Sequence, residues 1–202
     1  MHTSIAQSRA RSRVLTLAET LWPAGAGWIG RNIALALVGT ALLTLSAKLQ
    51  VPFWPVPMTM QTYVVLCLGA AFGWRLGAAT VALYLLEGAI GLPVFAGTPE
   101  KGLGVAYMMG PTGGYLAGFV VAAALIGWLA ERGADRSLPR MLAAMTVGHL
   151  LILACGWAWL AGIIGAEKAW IAGVAPFAVA TVVKTLLAAV TLPAAWQVIK
   201  RG

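Results

Sequence analysis

Charge is what this sequence has least of. Asp, Glu, Lys and Arg make up 10% of its 202 residues, against about a quarter of an average soluble domain. With six carboxylates and two histidines in the whole chain, there is little from which to build acid–base chemistry. No Ser-His-Asp set, no HExxH motif and no paired-carboxylate site is found, so nothing argues for an enzyme. A Walker-type phosphate loop is absent too, which excludes ATP hydrolysis by that route within this chain. The two cysteines, Cys67 and Cys155, lie in apolar runs with no His or second Cys at metal spacing. They read as small core hydrophobes, which leaves no disulfide, no metal and no cofactor to expect.

What is there instead is apolar. Hydrophobic residues make up 60% of the chain, and its mean hydropathy is +0.86. This is the composition of an integral membrane protein. Six apolar segments stand out, at 29–49, 60–74, 76–92, 114–130, 141–165 and 174–198. The second and third are short and separated only by Trp74-Arg75. A span needs about 20 helical residues, so this pair predicts a tight helical hairpin that borrows length from its flanks. The fold class expected is all-α, with six transmembrane helices.

The net charge of +8 would suit a nucleic-acid partner, but its placement does not. Arg9, Arg11, Arg13, Arg31, Arg75, Arg132, Arg136, Arg140, Lys200 and Arg201 fall on one side of a six-span topology. Only Lys101 and Lys168 fall on the other, with Lys48 at the outer end of the first helix and Lys184 inside the sixth. Positive residues stay cytoplasmic. Both termini are therefore expected in the cytoplasm, and the protein in the membrane rather than on nucleic acid. Residues 1–28 read as a basic cytoplasmic or membrane-surface segment ending in a Pro/Gly linker at 23–27, and residues 29–202 as the transmembrane domain.

The outer loops differ from the inner ones. Residues 50–59 read QVPFWPVPMT, with three prolines, two aromatics and no charge. Residues 93–113 are long, Gly-rich and partly apolar. Loops beyond about 12–15 residues are uncommon unless they have a role. Apolar, proline-stiffened loops can fold back over a cavity; an ordinary interfacial loop with aromatic anchors is the alternative. No inverted repeat of the kind many secondary transporters carry is visible: Pro176 and Pro193 interrupt the sixth segment without a counterpart in the third.

Lys184 is the most telling residue. It lies in 174–198, a stretch with no other ionisable group. A charge at that depth costs at least about 2.5–3.5 kcal/mol and marks a functional site. Thr181 sits one turn away on the same helix face. Gln61, Glu87 and Tyr115 all fall toward the outer half of the bilayer. Amide, carboxylate, hydroxyl and ammonium in an aromatic surround suit a small polar organic ligand; an ion pair between Lys184 and Glu87 is the alternative. His149 reads as a satisfied interhelical hydrogen bond rather than a ligand contact. Trp157, Trp159 and Trp170 are an interfacial belt or, for Trp170, equally a cavity wall. Ala36, Thr40 and Thr44 form a small-residue stripe on the first helix, suited either to internal packing or to a partner subunit.

Four segments together resemble one family: 51–61 (VPFWPVPMTMQ), 88–97 (GAIGLPVFAG), 110–119 (GPTGGYLAGF) and 176–184 (PFAVATVVK). They are similar to BioY, the biotin-specific substrate-binding (S) components of energy-coupling factor transporters. The resemblance implies a six-helix protein of the bacterial inner membrane that captures biotin from outside. It also implies partners, namely a transmembrane coupling subunit and two ABC ATPases that drive inward release. Lys184, Thr181, Gln61, Thr59, Glu87, Phe95, Thr112 and Tyr115 are the ligand contacts it suggests, and Ala36 and Thr40 the docking surface. Thr181 stands where the family usually has Asp, so Glu87 supplies the missing acceptor or recognition is rearranged. A stand-alone secondary transporter of a vitamin-like solute, using Glu87 and Lys184 for protons, is the alternative function.

Overall fold

The computed structural model describes residues 14–23, 27–51 and 55–201. The arginines at 9, 11 and 13, most of the 23–27 linker and Pro52–Trp54 of the first outer loop lie outside these. In the described residues a short helix, α1 (Leu17–Leu21), precedes the long α2 (Trp28–Lys48). A two-stranded antiparallel ribbon follows, β1 (Gln50–Val51) with β2 (Met58–Thr59), pairing Gln50 with Thr59. The rest is helical: α3 (Gln61–Ala89), α4 (Gly104–Met108), α5 (Gly113–Ala130), α6 (Leu138–Ile164), α7 (Ala166–Gly173) and α8 (Ala178–Arg201).

Among the described residues, five helical stretches are long and apolar enough to cross a membrane, the last running through α7 and α8 from Ala166 to Ile199. α2 is 21 residues long, about 30 Å of helix, which matches the hydrocarbon thickness. Its outward side carries Ile29, Ile33, Leu37 and Leu45, each more than half exposed. α8 likewise turns Val179, Val182, Val183, Leu186 and Val190 outward. Helices apolar on every side belong in lipid.

α3 is not straight. Gly73 has φ 80° and ψ 173°, a conformation only glycine takes without strain. The helix folds back there. Gln61 Nε2 donates to Tyr84 Oη at 2.7 Å although the two are 23 residues apart, a separation that would place them more than 30 Å apart along a straight helix. The predicted hairpin at Trp74-Arg75 is thus present, with its break one residue earlier. Glu131 closes the turn by accepting from Trp74 N at 3.2 Å.

α5 packs against both arms of α3 and against α6, and α8 closes the bundle beside α6 and α3. The core runs along these contacts through Leu66, Tyr84, Ile126, Met145 and Ile152, all fully buried. Thr40 belongs inside as well. It is 4% exposed and donates to Leu37 O, while neighbouring Gly39 lies against Phe72 and Thr80. The expectation of Thr40 on a docking surface is therefore corrected: that face of α2 is spent on the α3 hairpin. Ala36 is only half buried and lines a shallow apolar groove beside Trp28, Ile33 and Leu83.

The two ends of the bundle differ in chemistry. At one end Arg136 donates to Leu15 O and Arg31 to Trp22 O, strapping the described N-terminal residues across the helix ends. Val14 N adds a bond to Glu131 O. α1 starts with a capping box between Thr16 and Glu19. At this same end Trp196 of α8 donates to a buried Asp135. The other end carries the ribbon, the 93–113 loop and α7.

Candidate functional site

At the loop end the helices leave a cavity of about 620 Å³, open solvent at its mouth included. The ribbon supplies Val56, Pro57 and Thr59; the start of α3, Gln61 and Thr62; and the second outer loop, Ala96 and Tyr107. Thr112, Tyr115, Leu116 and Phe119 come from the start of α5, His149 and Leu153 from α6, and Phe177, Thr181 and Lys184 from the last helical segment. No carboxylate is among these wall residues.

Lys184 is 8% exposed and reaches across to the ribbon, where Nζ donates to Thr59 O at 2.5 Å. An ammonium carries three donors, so this bond leaves two for whatever enters the cavity. The bond also explains why the ribbon folds inward. Thr59 Oγ1 lies 3.3 Å from both Oε1 and N of Gln61, and Gln61 in turn holds Tyr84, whose hydroxyl donates to Val94 O at 2.9 Å. One chain of hydrogen bonds thereby ties α8, the ribbon, both arms of α3 and the 93–113 loop together.

Tyr115 lies over Gly156, where a Cβ would overlap its ring, and donates to Gly173 O at 2.6 Å. This fixes α5, α6 and α7 at the mouth. Pro176 is the second residue of the 3-10 turn Ala175–Phe177, within the first turn, where a missing N–H costs little. Phe177, Thr181 and Lys184 then follow at helical spacing on one face. Tyr107 donates to Ala96 O at 2.8 Å. Burial pushes its phenol above the ordinary range, with the hydrogen bond to Thr112 acting against that.

Six of the eight residues singled out from the sequence as ligand contacts meet on this wall: Lys184, Thr181, Gln61, Thr59, Thr112 and Tyr115. Phe95 and Glu87 do not. Phe95 is 1% exposed and packs beneath, edge-on to Tyr84 at 5.4 Å and stacked on Tyr107 at 5.0 Å. Its ring fills the space a side chain at Gly88 would need. It anchors the loop rather than facing the cavity. Glu87 is half buried and off the wall, so it does not provide the acceptor expected of it. Lys48, placed at the outer end of the first helix, clamps the same loop: Nζ donates to Phe95 O, Thr98 O and Thr98 Oγ1 at 3.0–3.1 Å.

His149 is the residue that sequence reasoning set aside. Its Nδ1 has interhelical and backbone partners, as expected, but the ring also forms part of the wall. Nothing in the sequence distinguishes the two roles. Phe177 could have been found, since it lies seven residues before Lys184, two turns away on the same face. None of the three tryptophans reaches the cavity: Trp159 donates to Gly110 O, Trp157 to Ala166 O, and Trp170, 57% exposed, lines a groove between α6 and α8.

The sequence model of the BioY family matches residues 16–201. The "Probable biotin transporter BioY" of Pyrococcus horikoshii is 37% identical over 160 residues, covering 79% of this chain and 93% of that protein. The "Biotin transporter BioY" of Thermotoga maritima is 41% identical over 126 residues, covering 62% of this chain and 72% of its own length. In three dimensions the fold is similar to the crystal structure of the S-component for biotin from an ECF-type ABC transporter. The TM-score is 0.74 at 22% identity, over 86% of this chain and 95% of that one.

Proposed function

The chain belongs to the BioY family, and from that membership we propose that it binds biotin at the outer face of a bacterial inner membrane as the S component of an energy-coupling transporter. The observation that carries the proposal is the cavity itself. It opens at the end away from the described arginines, is walled largely by apolar and hydroxyl groups, holds one lysine and has no carboxylate among its described wall residues. Biotin brings the complement: a carboxylate, a urea with two N–H groups and a carbonyl, and an apolar bicycle with an aliphatic tail. Lys184 would meet one of its acceptor groups, with Thr112, Tyr115, Thr181, Thr59 and Gln61 around the remainder and Phe119 and Phe177 against the hydrocarbon.

We read the two arms of α3 as two crossings, six in all, with both termini cytoplasmic. Support comes from the shared position of Arg75, Arg132, Arg136 and Arg140 beside the Gly73 turn and the helix ends. A coupling subunit and two ABC ATPases would complete the transporter, and Ala36 on the open groove of α2 is the remaining docking candidate.

Reconstitution in liposomes tests this reading. The chain alone should bind biotin but accumulate none in response to a pH gradient, and uptake should appear when the coupling subunit and ATPases are added with ATP. Gradient-driven accumulation by this chain alone would make it a secondary transporter and overturn the proposal.

A further inference from the structure

His149, a residue of the cavity wall, carries an unused acceptor. The residue is 2% exposed and forms part of the wall between Leu153 and Lys184. Its Nδ1 lies 3.0 Å from Met145 O and 2.9 Å from Thr185 Oγ1. A carbonyl oxygen only accepts, so the contact with Met145 places the proton on Nδ1. In the neutral ring Nε2 is then a lone-pair acceptor. That atom is buried and has no hydrogen-bond partner among the described residues, a condition it shares only with Asp135 Oδ1 at the opposite end. Buried polar atoms are nearly always satisfied, and an exception calls for a reason.

The rest of the wall shows what the reason is. Lys184 only donates, and the other wall acceptors are neutral hydroxyl, amide and backbone oxygens, the hydroxyls of Tyr107 and Tyr115 spending their protons on backbone carbonyls. Gln61 is held by Thr59 and Tyr84. No carboxylate stands among the described wall residues to receive an N–H. We infer that His149 Nε2 receives a urea N–H of the bound ligand, so that His149 is a specificity residue selecting a cyclic urea over analogues without that donor. This rests on the biotin reading above and adds to it the group that recognises the head of the molecule. Thr185 and Met145 fix the ring's rotamer and tautomer from behind.

The test uses the purified full-length chain in detergent. With the imidazoles labelled with ¹⁵N, adding biotin should move the Nε2 resonance of His149 upfield, as a pyridine-type nitrogen does when it accepts a proton donor. His149→Leu should weaken biotin tenfold or more, while His149→Asn, which keeps an acceptor, should recover part of the loss. Against biotin methylated on the engaged urea nitrogen, wild type and His149→Leu should bind alike. An unmoved Nε2 resonance with biotin bound, or biotin affinity within twofold of wild type in His149→Leu, would overturn the inference and leave the biotin reading intact. Failure of the wild-type chain to bind biotin at all would overturn both.

Discussion

A single lysine decides the character of the cavity. Lys184 sits where hydrocarbon would exclude it, and the described structure gives it one backbone carbonyl, that of Thr59. A buried ammonium so placed holds two donors ready for a guest, and a hydrogen bond to a charged group is worth about 1.5–3 kcal/mol. Lys184→Ala should therefore weaken biotin roughly ten- to a hundredfold in a calorimetric titration; an unchanged dissociation constant would remove Lys184 from the contact set. A second buried group answers to pH rather than ligand. Asp135 is 1% exposed, and burial pushes its carboxyl above the usual value of 3.8 against the opposing effects of the Trp196 hydrogen bond and the Arg136 charge. Between 3.8 and that raised native value the folded protein holds the proton more firmly than the unfolded chain. Stability should fall as pH rises through the window and be level above it. Melting of Asp135→Asn across the same range should lack that slope, and a slope unchanged by the substitution would contradict the assignment.

Among the elements, the long helices were legible and the short ones were not. Apolar runs bounded by arginines, prolines and glycines located α2, α5, α6 and α8 to within a few residues, because hydrophobicity sustained over a span is a strong signal. The hairpin was legible for a different reason: two runs too short to cross could only turn back on each other. Gly73 rather than Trp74-Arg75 makes the break because a positive φ is needed there. The ribbon, α4 and α7 escaped, since segments of two to eight residues carry too little periodicity to be read. Composition set the 50–59 and 93–113 loops apart, as a cover or as interfacial anchors, but only tertiary contacts separate the wall residues Ala96 and Tyr107 from the anchor Phe95. Glu87 and Thr40 misled for the same reason: spacing along a helix does not say which side faces a neighbour, which depends on helix packing. The cover has its own fastening in Lys48, whose three bonds hold Phe95 and Thr98. Lys48→Ala should loosen that loop and speed release of labelled biotin several-fold in a chase experiment with little change in melting temperature. An unaltered off-rate would show that Phe95 and the bonds from Tyr84 and Tyr107 hold the loop without Lys48.

On the scale of the whole molecule the chain is polarised. Its described arginines, the α3 turn and both described chain ends gather at one end, and the cavity opens at the other. In the topology proposed above, that arrangement follows from two simple demands: positive loops stay on the cytoplasmic side, and a cation buried near the opposite side needs a counterpart. Neither demand requires energy input within this chain, so binding should be separable from transport. The most direct test is calorimetric titration of the detergent-solubilised chain with biotin, without ATP and without partner subunits. The structure predicts saturable heat at one biotin per chain, displaced by labelled biotin. No heat and no competition would contradict the assignment of this cavity to biotin.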